Sequence, residues 1–65
     1  MKKHSVRISG HPTSITLEEE FWDALKKIAE NQGQSLSSLI TKIDETRGEN
    51  NLSSAIRVFV LKNYQ

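Results

Sequence analysis

A chain of 65 residues without a cysteine has few ways to build a stable fold. A single domain of this size buries a small core, so disulfides, a metal ion or a second subunit usually add to its stability. The absence of cysteine excludes disulfides, cysteine-based zinc sites and thiol catalysis. The two histidines, His4 and His11, have no carboxylate close by in sequence, which argues against a metal site. Oligomerisation is therefore the predicted route to stability.

The hydrophobic pattern changes its period after the first quarter of the chain. Residues 13–17 alternate between apolar and polar and are rich in β-branched side chains, which predicts a short strand with Ile15 and Leu17 facing a core. Apolar residues then recur at helical spacing, which predicts a first helix at about residues 18–31. Residues 6–9 alternate more weakly, and this segment is predicted to be either a short strand or an ordered arm.

Two further helices are predicted in the second half of the chain. Ser35 is a suitable N-cap for a second helix that ends near Arg47, and Asn51 or Ser53 can cap a third. The candidate core residues of the first two helices are Phe21, Trp22, Leu25, Ile28, Leu36, Leu39, Ile40 and Ile43. The apolar stripe of the third helix is Leu52, Ile56, Phe59, Val60 and Tyr64. The predicted fold class is therefore mostly α with one short strand.

One short strand needs a partner, because its backbone donors and acceptors are otherwise left unpaired. Pairing with the same strand of a second subunit supplies that partner and enlarges the small core. A homodimer is therefore predicted. Along the chain, we expect a basic arm or short strand at residues 1–11, a strand–helix–helix core at residues 12–47 and a C-terminal helix extension at residues 48–65.

The formal net charge of +1 is weaker than the strongly basic balance typical of nucleic-acid-binding domains. The distribution is more informative, since the first eleven residues contain Lys2, Lys3, Arg7 and both histidines but no acid. This segment is either a solvated tail or a basic arm that contacts phosphates. No apolar run approaches the ~20 residues of a membrane span, and the N-terminal segment lacks the apolar stretch of a signal peptide. We expect a cytoplasmic protein.

Several short segments carry a recognisable pattern. Residues 14–25 (SITLEEEFWDAL) and residues 29–37 (AENQGQSLS) resemble, respectively, the strand with the first helix and the helix–helix junction of the ribbon-helix-helix family of DNA-binding proteins. The Gly10-His11 lead-in, the Phe21-Trp22 pair and residues 51–55 (NLSSA) resemble a bacterial subgroup with an added C-terminal helix. The resemblance implies an intertwined homodimer whose two strands pair antiparallel and enter the major groove of operator DNA. It further implies a bacterial or phage transcriptional regulator, most simply a repressor.

The resemblance also implies roles for individual residues. Outward side chains of the family's ribbon touch base edges, which implies base reading by Ser14 and Thr16, with Pro12 at a third position. Pro12 departs from the family pattern because proline cannot donate a hydrogen bond, so Arg7 or His11 is expected to add discrimination. The N-terminus of the family's second helix contacts phosphates, as its free N–H groups and dipole favour. The residues expected to contact phosphates, from the arm and from this helix, are Lys2, Lys3, Arg7, His11, Ser35, Leu36 and Ser37.

Other interpretations remain open. Thr16 also fits a capping box with Glu19, which is a structural role without DNA contact. The alternative function is a small helical protein–protein interaction module or an antitoxin-like protein binder, with the C-terminal helix as the surface for a protein partner. A helix-turn-helix protein that uses the second and third helices is a further alternative, although its connection would be long. No enzyme is expected, because no catalytic motif or phosphate-binding loop is present, and no cofactor or metal is predicted.

Overall fold

The computed structural model describes residues 1–63 and contains a hairpin followed by three helices. The elements are β1 (Lys2–Ile8), β2 (His11–Leu17), α1 (Glu19–Asn31), α2 (Leu36–Thr46) and α3 (Leu52–Asn63). The three predicted helices are confirmed at close to the expected bounds. Tyr64, which we predicted on the last helix, lies outside the described residues.

The prediction of one short strand is wrong, because the segment that precedes it forms a second strand. β1 and β2 pair antiparallel along seven residues each, from Lys2 opposite Leu17 to Ile8 opposite His11. Ser9 and Gly10 join them with φ angles of 51° and 82°, and positive φ at both central residues is what a two-residue type I′ hairpin turn needs. β2 therefore has a partner within its own chain, and the unpaired strand that pointed to a second subunit does not exist.

The core lies between one face of the hairpin and the three helices. Ile15 and Leu17 point from β2 into it, as the alternation of β2 requires, and Ile8 joins them from β1. The buried core residues are Ile8, Ile15, Leu17, Leu25, Ile28, Ala29, Leu39, Ile40, Ile43, Ile56 and Val60. Phe21, Trp22 and Leu36 are half-buried and pack against its edge. Since α3 supplies Ile56 and Val60, it belongs to the same core as the first two helices.

Side-chain caps fix where the second and third helices begin. The Ser35 hydroxyl accepts a hydrogen bond from the Ser38 N–H at 3.1 Å, so Ser35 is the N-cap of α2 as predicted. The Asn51 amide oxygen accepts from the Ser54 N–H at 2.8 Å at the start of α3. The N-cap of α1 is Glu18 and Thr16 lies within β2, so the capping-box interpretation of Thr16 is wrong.

Candidate nucleic-acid interface

The side of the hairpin that points away from the core carries polar and basic side chains. Because neighbouring residues of a strand point to opposite faces, this outward face takes every second residue of each strand. Its six residues are all exposed, and they are Lys3, Ser5 and Arg7 of β1 and Pro12, Ser14 and Thr16 of β2. We call this set the outward face. It combines two cations and three hydroxyl groups, and it contains no acid.

The pairing register arranges the outward face in three rows across the two strands. Lys3 lies opposite Thr16, Ser5 opposite Ser14, and Arg7 opposite Pro12. Side chains directly opposite in an antiparallel pair are close enough to act on one ligand together. The three residues predicted to read bases therefore lie side by side with residues that the sequence analysis assigned to a separate arm.

Ser5 occupies the middle row, and the sequence analysis did not single it out. Its position follows from the alternation of Val6 and Ile8, which point inward, so that Ser5 and Arg7 point outward. The sequence signal that identifies Ser5 is this alternation, extended by one residue toward the N-terminus.

The predicted arm residues are divided between the two faces of the hairpin. Lys3 and Arg7 belong to the outward face, whereas Lys2 lies on the other face, where its ammonium is 3.3 Å from the Glu19 carboxylate. His11 is exposed and lies on that same inner side, beside a shallow depression that Asp44 and Arg47 also line. The structure thus places Lys3 and Arg7 on the same face as Ser14 and Thr16, and His11 lines a depression that Ser14 also borders.

Neither Lys3 nor Arg7 forms an ion pair within the described residues, so both charges are available to a ligand. One Arg7 guanidinium nitrogen donates a hydrogen bond to the Gly10 carbonyl at 3.2 Å. This bond holds the side chain along the hairpin near the turn. A guanidinium presents five N–H donors, so most of them remain unused by that bond.

The N-terminus of α2 adjoins the outward face at the end that carries the turn. Leu36 and Ser37 line a shallow depression of about 390 Å³ together with Ser5, Arg7 and Pro12 of the hairpin. In the first turn of α2, the N–H groups of Ser38 and Leu39 bond to the Ser35 side chain and carbonyl. The N–H groups of Leu36 and Ser37 have no such partner within the described residues, as is usual at a helix start.

Trp22 of α1 packs against the inner side of the hairpin and also lines this depression. Its ring stacks on His4 of β1, with centroids 3.9 Å apart and planes inclined by 8°. The His4 Nε2 atom is buried and has no hydrogen-bond partner within the described residues. The stack fixes β1 against α1, and it places His4 in a packing role on the inner side of the hairpin.

An ion pair between α1 and α3 lies outside this interface. The Arg57 Nε atom is 2.9 Å from the Glu18 carboxylate, and the Arg57 guanidinium carbon is 6.0 Å from the Phe21 ring centroid. The pKa of Glu18 is held below its ordinary value of 4.5, first by a hydrogen bond with its own backbone N–H and then by the Arg57 guanidinium. Both interactions favour the charged carboxylate.

Substituting Glu18 by Gln should lower the melting temperature at pH 7, and the difference from the unmodified protein should disappear in acid. A carboxyl with a depressed pKa in the folded state stabilises the fold above its unfolded pKa, and this contribution is lost as the pH falls through the folded pKa. Thermal unfolding followed by circular dichroism between pH 7 and pH 3 measures the difference. The control is Glu20→Gln, in the same helical turn but without an ion pair among the described residues. A Glu18→Gln deficit that stays constant as the pH falls below the ordinary carboxyl pKa would contradict this account.

Two further observations concern the described residues 1–63. No group of three or more histidine, aspartate or glutamate side chains is placed to hold a metal ion among them. None of the helices there is both long and apolar enough to cross a membrane.

Comparison with known protein families gives a match to a family whose fold begins with a β-ribbon. A family model of the ribbon-helix-helix domain matches residues 1–64, which is nearly the whole chain. The chain therefore belongs to the ribbon-helix-helix family, whose members are DNA-binding regulators that generally bind DNA as dimers. No curated protein and no solved structure matches the chain significantly.

Proposed function

We propose that this protein is a transcriptional regulator that binds specific sequences of double-stranded DNA. It acts as a homodimer in the cytoplasm of a bacterium or of a phage-infected cell, and it represses transcription by occupying an operator. One observation carries the proposal: the outward face presents exposed hydroxyls and two cations without ion pairs, and no acid, on a two-stranded ribbon. Such a ribbon is one of the two shapes that the major groove of B-DNA admits. The family to which the chain belongs supports the same function.

In this proposal, the outward face enters the major groove of the operator. Ser14 and Thr16 donate or accept hydrogen bonds at base edges, and Pro12 gives an apolar contact in the same row as Arg7. Lys3 contributes a charge that attracts the phosphates on the groove wall. The two strands are about 4.8 Å apart, which fits a groove about 12 Å wide.

The N-terminus of α2 is proposed to hold a phosphate next to the groove. Leu36 and Ser37 line the depression next to the outward face, and the Ser35 hydroxyl caps the same helix end. The N–H groups there and the positive end of the helix dipole favour an anion. Lys2 and His11 lie on the other face of the hairpin, so neither is proposed to read bases, and the proposed part of Lys2 is a long-range attraction of the DNA. Phosphate contacts of this kind fix the register of a protein on the duplex but carry no sequence information.

Selection of bound duplexes from a random DNA library at near-physiological salt tests the proposal. We expect enrichment of short half-sites in inverted or closely spaced repeats, as a symmetric dimer requires. Affinity for the selected site should fall steeply with salt, because each phosphate contact releases counterions.

Thr16→Val should then change the base preference at one position of each half-site. A neutral hydrogen bond contributes about 0.5–1.5 kcal/mol, so we expect an affinity change of about 2- to 12-fold on the selected operator. Thr13→Val is the matched control, since Thr13 lies on the same strand but on its inner face. Absence of enrichment and of salt-sensitive binding to any duplex would refute the proposed function.

A second candidate function is a protein-interaction module, and one observation favours it. Val58 and Leu61 on α3 are exposed by 49% and 56%, and they lie three residues apart on one side of the helix. Apolar side chains grouped on a helix surface are typical of protein contacts. Capture of a protein partner that is lost in Val58→Ser/Leu61→Ser, without any DNA affinity in the unmodified chain, would favour this function.

A further inference from the structure

We infer that β1 flanks a ribbon formed by β2 and the β2 of a second copy of this chain, so that the dimer carries a four-stranded sheet with β1 as each outer strand. In this sheet, Lys3 and Arg7 bind phosphates on the two walls of the DNA groove, and base contacts are left to β2. The inference rests on the proposed function, because it divides the outward face of that site between phosphates and bases. The ribbon keeps one strand from each subunit, as the resemblance of the sequence to the family implies.

Pro12 shows which backbone groups of β2 face away from β1. The hairpin is the only sheet among residues 1–63, so each strand has one paired edge and one free edge there. A proline within a paired strand directs its nitrogen, which carries no hydrogen, away from the ladder. Because the backbone direction alternates along an antiparallel strand, the N–H groups of Ser14 and Thr16 also face the free edge. Neither N–H has another hydrogen-bond partner in the part of the chain that the structure describes, so both are open to a further strand.

Charge favours this edge over the free edge of β1 as the place where a second copy pairs. Pairing through β1 would bring Lys3 and Arg7 of both copies onto the two middle strands, and like charges opposite one another on neighbouring strands are destabilising. The outward residues of β2 are Pro12, Ser14 and Thr16, which carry no charge. Pairing through β2 therefore places the cations on the outer strands, where the two copies are farthest apart.

The length of β2 fixes the two-fold axis of the sheet at Ser14. β2 runs from His11 to Leu17, so only an antiparallel pairing with Ser14 opposite Ser14 of the partner subunit engages all seven residues. The Ser14 N–H then donates to the Ser14 carbonyl of the partner subunit, and the Thr16 N–H donates to the Pro12 carbonyl of the partner subunit. Each outer row across the four strands consequently has Lys3 at one end and Arg7 at the other, with Thr16 and Pro12 between them.

The width of this sheet assigns β1 to the walls of the groove. Neighbouring strands lie about 4.8 Å apart, so the β2 strands lie about 2.4 Å and the β1 strands about 7.2 Å from the two-fold axis. The major groove is about 12 Å wide, so each wall lies about 6 Å from the midline. The β2 strands therefore fit within the groove, whereas the β1 strands lie over the phosphates that border it.

Arg7 and the start of α2 lie on the same side of the hairpin and face the same wall of the groove. Arg7, Leu36 and Ser37 line one depression next to β1. The Gly10 carbonyl accepts one hydrogen bond from the Arg7 guanidinium and leaves most of its donors free. A guanidinium with free donors binds a phosphate through two parallel hydrogen bonds. Arg7 therefore acts with the N-terminus of α2 on the DNA backbone, and it carries no base preference.

Two single-cysteine variants test the sheet, in a chain that has no cysteine of its own. Ser14→Cys places a thiol opposite its copy at the two-fold axis, where the Cα atoms of a hydrogen-bonded pair lie about 5.5 Å apart, within the range that a disulfide spans. Ser5→Cys is the matched control, because Ser5 is exposed on the same face but lies three strand spacings, or about 14 Å, from its copy. In a glutathione redox buffer without DNA, we expect a disulfide-linked dimer with Ser14→Cys and unlinked protein with Ser5→Cys. Equal yields of linked dimer in the two variants, including none in either, would overturn the inference.

Salt titrations of DNA affinity test the place of β1 at the groove walls, with Lys3→Ala and Arg7→Ala as separate variants. Each variant removes two phosphate contacts from a dimer, so the slope of log affinity against log salt should become shallower by about 2, while the base preferences of the selected site stay unchanged. Lys27→Ala is the control, because it removes an exposed lysine of α1 away from the hairpin, and its slope should equal that of the unmodified protein. A base preference that changes at one position in Arg7→Ala, or slopes that equal the control, would show that β1 does not lie over the phosphates.

These outcomes separate the inference from the proposed function. If the unmodified chain selects DNA sites but Ser14→Cys forms no linked dimer, the regulator remains and the four-stranded sheet fails. If Ser14→Cys forms the linked dimer but the unmodified chain selects no site, the sheet remains and the proposed function fails.

Discussion

Ile40→Ala is expected to leave little folded protein at 37 °C. Ile40 is fully buried in the middle of α2, and removing a large buried aliphatic side chain costs about 2–5 kcal/mol of stability. At the usual 0.05–0.15 kcal/mol per residue, a domain of this size has a total stability of only about 3–10 kcal/mol. A single cavity of this kind therefore removes a large part of it.

Urea unfolding followed by the helical circular dichroism signal measures this loss. Leu61→Ala is the control, because it deletes a similar side chain that is 56% exposed, and we expect a change within about 0.5 kcal/mol. Protein concentration must be equal in all samples, since stability of a dimer depends on it. Equal losses in the two variants would contradict the position of Ile40 in the core.

Reversing both charges of the outward face, in Lys3→Glu/Arg7→Glu, is expected to abolish DNA binding without unfolding the protein. Like charges brought together at an interface cost several kcal/mol, and each 1.4 kcal/mol is a factor of ten, so affinity for the selected operator should fall at least ~1,000-fold. Both side chains are exposed, and neither forms an ion pair within the described residues, so the fold loses little. Fluorescence anisotropy with labelled operator measures the binding.

A control variant distinguishes the effect of where the charges lie from the effect of the net charge on DNA affinity. Lys27→Glu/Lys62→Glu reverses two exposed lysines on α1 and α3, away from the hairpin. Each reversal removes two units of charge, so both double variants change the formal net charge from +1 to −3. Equal losses of affinity in the two variants would show that DNA responds to total charge and would contradict a role for the outward face.

The helices were predictable from the sequence because their apolar residues recur with a clear helical period. Ser35 was predictable as a cap because a hydroxyl residue stood directly before such a run. The residues carried over from the family, Ser14 and Thr16, do point away from the core, although their contact with DNA stays a prediction.

The hairpin was not predictable from the same patterns. Two of the four inward positions of β1, Lys2 and His4, are polar, so the alternation of this strand is visible only at Val6 and Ile8. Proline is unfavourable at most strand positions, yet Pro12 is accommodated within β2. The pairing of the strands decides which residues share a face, and pairing is a tertiary property that local periodicity does not contain. Ser5 was missed because the polar inward residue His4 hides the alternation on the N-terminal side of Val6.

The separation of the two faces of the hairpin has a consequence for how such a regulator changes its target. Residues of the outward face alternate with those that pack inside, so new side chains can be introduced there with little effect on folding. Under the proposed function, substitutions at a few alternate codons of the hairpin would therefore change the operator that the protein binds.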